Sequence, residues 1–424
     1  MPWLRHTFAS FAVPHYRMLW TGSMVATTAF MMSFILIPAV AYDITGTNTA
    51  AGIAQMGSGI GMLLVCPFGG VIADRLRKKP LVLAGQAVPG AMILAIGILI
   101  VSGAISILWL VVVTLVMGLG WAFMGPARQA WVGELMPPRL LPNSVALLQV
   151  GLGISQVLGP LFVALLVGSA VGVGGTYLFM ASLFAIILPI TLSLPNTTPA
   201  PKAVQRSISG ELIEGLRYVW GNPRLRLLWV SFVVIIVCGF SFQTLLPGLL
   251  DREFGRDPTD VGPTFLAFAI AGLLMNVVLA GVVHRPMAWP LMFTMGLMMM
   301  GGFVLLATVG AYWLVFVAAI PLGAGRSGYW LVNSALLMTT ADQRFYGRVM
   351  ALSMMAFGVQ ALLGPVWGAM ADAIGVRETL LIVGAVGAAA IGLALLEWLR
   401  IRHRPRPAPA SVLLDAPLEP PGPS

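Results

Sequence analysis

Stretches of about twenty apolar residues recur along this chain with almost no charge inside them, which leaves few folds open to it. In hydrocarbon every backbone N–H and C=O needs a partner within the protein, and a helix supplies one inside its own segment. Hydropathy and breaker residues place twelve such spans, at 19–40, 50–72, 81–102, 105–124, 142–167, 173–194, 227–247, 263–283, 288–308, 311–337, 350–371 and 379–399. Composition agrees: 58% of the 424 residues are apolar and 9% charged, where soluble chains carry roughly 45–50% and about 25%. The expected fold class is an all-α membrane protein. The 48 glycines show no three-residue period and sit inside apolar runs, as tight helix packing in a bilayer favours.

A net charge of +9 could suggest a polyanionic partner, but the placement of the charge argues for topology instead. Twenty lysines and arginines fall in segments 1–18, 73–80, 125–141, 195–226, 284–287, 338–349 and 400–424, against Arg252, Arg256 and Arg377 on the opposite side. The positive-inside bias therefore places both termini in the cytoplasm and leaves no call for nucleic acid. Residues 1–18 lack a cleavage-site pattern, so the first span is expected to be retained. The longest connection, 195–226, divides the spans into bundles at 19–194 and 227–399. Within it Leu212, Ile213, Leu216, Val219 and Trp220 share a helical face, the pattern of a helix lying at a membrane surface or of a solvated linker. The Pro-rich segment 400–424 reads as a disordered cytoplasmic tail.

An internal repeat supports the division. At an offset of 205 residues, Gly153 pairs with Gly358, Gly159 and Pro160 with Gly364 and Pro365, and seven of 21 positions match in all. Proline frees a helical carbonyl and glycine lets a neighbour approach at the same place. Two duplicated six-helix halves related by an axis along the membrane normal are a transporter architecture.

The turn between spans 2 and 3 carries Gly70, then Ala73-Asp74-Arg75, then Arg77, Lys78 and Lys79. This resembles the signature loop of the major facilitator superfamily. Arg77 in place of a second glycine, Leu19-Trp20, Tyr42-Asp43-Ile44-Thr45-Gly46 and Gly347-Arg348-Val349 are similar to its bacterial drug and siderophore exporter branch, over residues 15–400. The resemblance implies two pseudo-symmetric bundles of six helices each, and a conformational latch in which Asp74 meets the start of span 11 at Gly347 and Arg348. A carboxylate at a helix N-terminus suits its free N–H groups and dipole. Glu134 reads as a partner for Arg75 or Arg77, or as a solvated charge. Gly151, Gly153, Gly159 and Pro160 in span 5 are similar to the antiporter motif of exporting members, with Ser155, Val163 and Ala164 standing where that motif has glycines.

Arg326 is the one charge placed inside a span, in its cytoplasmic half, where it either faces a cavity or snorkels to the interface. Gln55, Gln156, Gln243, Asn276, Asn333 and Gln360 could add polar groups to a substrate cavity or serve as interhelical hydrogen bonds. No acidic residue falls near the centre of a span, and Asp43, at the end of span 1, is the nearest coupling candidate or else an exposed turn residue. Cys66 and Cys238 read as small buried side chains, and the methionines around span 9 as lipid-facing or core filler. His6, His15, His284 and His403 lack metal-ligand spacing, and no phosphate-binding loop or activated nucleophile is evident. The expectation is a monomeric, cofactor-free secondary transporter of the bacterial inner membrane that exports a small amphipathic molecule, with protons as a coupling partner implied by the resemblance. An importer on the same fold and a non-transporting receptor are the rival readings.

The charge count makes a topological prediction. In a background without Cys66 and Cys238, Ala200→Cys and Ala410→Cys should react only with reagents admitted to the cytoplasm, and Arg256→Cys with external reagent. Labelling at 410 from outside intact cells would overturn the map.

Overall fold

A computed structural model of the protein describes residues 8–196, 208–282, 287–342 and 345–402, with residues 66–75, 123, 208, 209, 211, 212, 281 and 282 described by backbone alone. Twelve long helices form among them: α1 Pro14–Thr45, α2 Asn48–Arg75, α3 Lys78–Val101, α4 Ile107–Leu135, α5 Leu141–Val167, α6 Gly172–Ser193, α7 Pro223–Phe254, α8 Gly262–Val282, α9 Ala288–Thr308, α10 Tyr312–Thr340, α11 Tyr346–Ile374 and α12 Val376–Ile401. A linker helix, Ile208–Gly221, joins α6 to α7. Among the described residues eleven of these helices are long and apolar enough to cross a membrane, and α2, of 28 residues, is the twelfth by length. The tail beyond residue 402 and the side chain of Leu212 lie outside the described residues.

Several helices overrun their apolar windows. Hydropathy marks the lipid-facing stretch, whereas the helix ends where its capping residues stand. Both α1 and α7 open with proline at the first turn (Pro14, Pro223), carry an internal proline (Pro38, Pro247) and stop at a left-handed glycine (Gly46, φ 67°; Gly255, φ 58°). Each pair is separated by 209 residues, so the two helices share one punctuation. Asn222 caps α7 by accepting from the N–H groups of Arg224 and Leu225 at 3.0 and 3.4 Å.

Contacts between helices fall into two matching sets. In the first half α2 packs on α4, α3 on α4 and α6, and α1 on α5 and α6. In the second α8 packs on α10, α9 on α10 and α12, and α7 on α11 and α12. Across the halves the main pairs are α2 with α11, α5 with α8, and α1 with α7. Adding six to each helix number in the first half maps these contacts onto those of the second, as a pseudo-twofold axis requires. α1 and α7 lie along that axis and are the most buried of the eleven spans, at 72% and 67% of their most apolar windows.

Glycine sets the distance between α2 and α11. A Cβ at Gly52 would lie 2.4 Å from the Gly364 carbonyl carbon, and one at Gly368 would lie 2.2 Å from the Asn48 oxygen. Lipid tails are as apolar as leucine, so helices in a bilayer gain little from hydrophobic burial against each other. Close backbone contact supplies the van der Waals attraction that replaces it.

The linker helix is clamped to the start of α11. Glu214 pairs with Arg348 at 3.0 Å, the Tyr218 ring stacks on Phe345 at 4.0 Å, and the Tyr218 hydroxyl accepts from the Asp342 N–H at 2.9 Å. Its apolar face divides: Val219 is buried against the bundle, whereas Ile213, Leu216 and Trp220 are exposed.

The α2 and α11 contact yields a test. Gly52→Val should lower the thermal-unfolding midpoint of the purified protein by overpacking, at a cost of about 1–3 kcal/mol. Gly301→Ala, on an exposed face with nothing within 4 Å, should leave it unchanged or slightly raised. Equal effects from the two substitutions would count against the close-contact account.

Candidate functional site

The end of the bundle that holds the turns after α1, α7 and α11 is closed by a polar network among four helices. Asp372, near the end of α11, accepts from the Asn48 N–H at 2.9 Å, its side-chain amide at 3.0 Å, the Thr49 N–H at 2.8 Å and its hydroxyl at 2.7 Å. It thereby caps the N-terminus of α2, where free N–H groups and the helix dipole favour a carboxylate. Arg252 of α7 donates to Asp372 at 3.1 Å, to the Gly46 carbonyl at 3.0 Å and to the Tyr42 hydroxyl at 3.1 Å, and that hydroxyl donates to Asp251 at 2.9 Å. Asn48, fully buried, sits against Gly248 of α7 and Gly368 of α11. Each half contributes groups that the other half needs.

This closure lies at the opposite end from the expected latch but between the same two helices. The carboxylate expected at the end of span 2 is Asp74, and the one observed at the end of α11 is Asp372. Both end a Gly-x-x-Ala-Asp run, Gly70 to Asp74 and Gly368 to Asp372, a repetition that could have exposed the second site. The proposed latch contacts of Asp74, Arg75 and Gly70 lie outside the described side chains. Gly347 is exposed, and the described ion-pair partner of Arg348 is Glu214 of the linker helix.

Glu134 pairs with Lys78 at 3.3 Å, because α4 continues to Leu135 and carries Glu134 in its last turn, beside the start of α3, and the side chain of Arg75, one of its expected partners, lies outside the described residues. Lys78 is buried, whereas Arg77 is exposed. Lys79 donates to the Leu192 and Leu194 carbonyls, both at 2.7 Å, and so neutralises the end of α6.

Arg326 sits at the midpoint of α10 rather than in one half of it. Its neighbours explain the placement: a Cβ at Gly323 would lie 2.0 Å from the Phe268 carbonyl oxygen, and one at Gly325 would lie 2.6 Å from the Met299 nitrogen. These two glycines bring α8 and α9 against α10, and the guanidinium rests over the rings of Phe240 and Phe268, 4.6 and 4.9 Å from their centroids. Rings from three helices continue this surface, Phe34 to Phe240 at 6.2 Å and Phe240 to Phe357 at 5.5 Å. Arg326 itself is half-buried, whereas the second cation inside a span, Arg128, is buried and donates to the Thr27 hydroxyl at 3.4 Å. It was hidden in sequence by Gly125-Pro126, which read as a helix end although Pro126 lies inside α4.

The remaining polar candidates separate. Gln55, Gln243 and Gln360 are buried, and the Gln55 amide nitrogen and Gln243 carbonyl oxygen have no partner among the described residues. Gln55 lines a cavity of about 20 Å³ with Phe30, Phe34, Ile37, Ser58, Thr114 and Met117. Asn276 is half-buried, and its side-chain oxygen has no partner among the described residues. Gln156 is exposed, and Asn333 is wholly buried and donates to the Leu228 carbonyl at 3.2 Å, while its side-chain oxygen has no partner among the described residues. Asp43 is exposed at the end of α1. Burial does raise Asp260, in the turn before α8, above the ordinary carboxylate range, with Arg256 opposing it. Along α5, Gly151, Ser155 and Gly159 form a small-residue stripe against α1: Gly151 faces Trp20, the Ser155 hydroxyl donates to the Met24 carbonyl at 3.0 Å, and Gly159 faces Met31. Gly153 instead faces Leu273 of α8, and Pro160 and Pro365 occupy matching interior positions of α5 and α11.

Two six-helix sets about one axis, closed at one end by a polar network and holding unpaired polar groups between them, form the frame of a membrane carrier. The chain belongs to the Major Facilitator Superfamily, which matches it over residues 19–359 and again over 250–418. It is a multi-pass membrane transporter and not an enzyme. It is similar to Multidrug resistance protein 1 of Bacillus subtilis (strain 168), 21% identical over 272 residues that cover 62% of this chain and 64% of that protein. It is likewise similar to the enterobactin exporter EntS of Shigella flexneri, 23% identical over 290 residues and 67% of each chain. A crystal structure of the nucleoside transporter NupG superposes with a TM-score of 0.71 at 12% identity, over 91% of this chain and 99% of that one. The chain thus spans just under two thirds of the first of these relatives.

The closure predicts its own release. Asp372→Ala removes the cap of α2 and the partner of Arg252, and loss of a helix cap costs about 0.5–2 kcal/mol. The open population at this end should rise roughly two- to thirty-fold. Spin labels at the exposed positions Ile44 and Ile374 should report longer distances in Asp372→Ala, and an unchanged distribution would remove the gate assignment.

Proposed function

We propose that the protein exports a small amphipathic molecule from the bacterial cytoplasm across the inner membrane by alternating access. The observation that carries this reading is the paired contact of α2 with α11 and α5 with α8 around buried, unpaired polar groups, because rocking the halves about such an axis opens one end as it closes the other. The positive-inside count assigns the basic end to the cytoplasm, with both termini there, and the end closed by Asp372 to the exterior. Gln55, Gln243, Gln360 and Arg326 are the groups proposed to face the cargo. Asp74 is proposed to hold the start of α11 when the cytoplasmic end closes, as Asp372 holds the start of α2 at the other end. Export is supported by the likeness to a multidrug resistance protein and to an enterobactin exporter. In this reading the protein works as a monomer, with protons as the coupling partner and no nucleic-acid partner.

The test is a growth screen. Expression of the wild-type chain in a host lacking its own efflux pumps should raise the tolerated concentration of at least one toxic amphipathic compound several-fold. Vesicles turned inside out should take that compound up when energised. Greater sensitivity on expression, with uptake into right-side-out vesicles, would overturn export in favour of import.

A further inference from the structure

We propose that the cargo is an organic anion with an aromatic body, and that Arg326 binds its carboxylate or sulfonate at the centre of the bundle. This names the substrate class of the carrier proposed above and rests on that reading. Arginine keeps its proton inside proteins, so burial cannot make it neutral. Among the described residues Arg326 makes two ring contacts and neither a hydrogen bond nor an ion pair. A ring face attracts the charge but offers no lone pair, so the N–H groups of the guanidinium remain available to an acceptor. Charge compensation is also missing at this depth, because the described carboxylates lie at helix ends and in turns. Arg128, which is buried, adds a second cation inside a span to the same balance. A half-buried cation at this depth with no described carboxylate beside it is stable where a ligand supplies the anion, and the planar fork of arginine suits a carboxylate in two-point contact.

The surroundings describe the rest of the molecule. Trp330, one turn beyond Arg326 on α10, lies 5.3 Å from the Phe232 ring and 5.1 Å from that of Phe357. In the first half, where α4 and α10 align from their first residues, the position matching Arg326 is Trp121, stacked on Phe30 at 4.1 Å. One half presents a cation with rings and the other rings alone. A cargo with one charged end and one aromatic end matches that asymmetry.

Binding of two probes to the purified full-length protein in lipid nanodiscs tests this without relying on transport. 2-Naphthoate and its neutral counterpart 2-naphthamide would be titrated by calorimetry, with empty nanodiscs subtracted. Wild-type protein should bind naphthoate at least tenfold more tightly than naphthamide. Arg326→Met should bring naphthoate to the naphthamide level while leaving naphthamide within about threefold of wild type, and Arg326→Lys should keep part of the preference. Equal binding of the two probes by wild type, no saturable naphthoate binding up to about 1 mM, or a preference that survives Arg326→Met would each overturn the proposal. Should Arg326→Met bind neither probe, Arg326→Lys decides: a retained preference supports the site and a lost one overturns it. Failure of the export assay with the naphthoate preference intact would remove the direction of transport and keep the subsite.

Discussion

The close contact of α2 with α11 is the constraint on which the other features depend. Gly52, Gly364 and Gly368 allow two backbones to meet with no side chain between them, and this brings Asp372 onto the free N–H groups of Asn48 and Thr49. A carboxylate that accepts four hydrogen bonds from a helix start is strong while it is made and wholly lost once the helices part. That steepness suits a two-state gate. Residues that packed through long flexible side chains would yield gradually and would not define a closed state.

Symmetry explains why the closure is shared between the halves. The contacts of α2 with α11 and of α5 with α8 are counterparts, and α1 and α7 lie between them with the same proline and glycine punctuation. The counterparts are not copies. Gly364 faces Gly52 across the halves, whereas its repeat partner Gly159 faces Met31 within its own half. Position 326 is arginine where position 121 is tryptophan. Divergence between halves gives a symmetric frame an asymmetric interior, which a carrier needs in order to hold a cargo with two unlike ends.

Much of the frame was legible in sequence because spanning a bilayer imposes a length and a polarity on every helix. The two six-helix sets and the Gly-Pro repeat were readable on that ground. What hydropathy could not resolve was the helix beyond the hydrocarbon edge. Reading α4 as ending near residue 124 left Arg128 and Glu134 in a loop, although one is buried within the bundle and the other pairs with Lys78 in the last helical turn. Polar residues were equally ambiguous in kind: Asn333 and Gln55 look alike in a sequence, yet one donates to a backbone carbonyl and the other lines a cavity. Which way a side chain points within a span depends on neighbours hundreds of residues away.

The two guanidiniums inside the bundle, Arg128 buried and Arg326 half-buried, set against described carboxylates that stand at helix ends and in turns, also have an electrical meaning. A unit charge moved across a membrane exchanges about 2.3 kcal/mol with every 100 mV of potential. Fixed arginines near the pivot of a rocking motion traverse little of that voltage, so the difference in work between the loaded and the empty stroke is set by the charge of the cargo. An anion leaving an interior that is negative is driven outward by the voltage itself. In such a carrier the resting potential adds its own drive to that of the proton gradient.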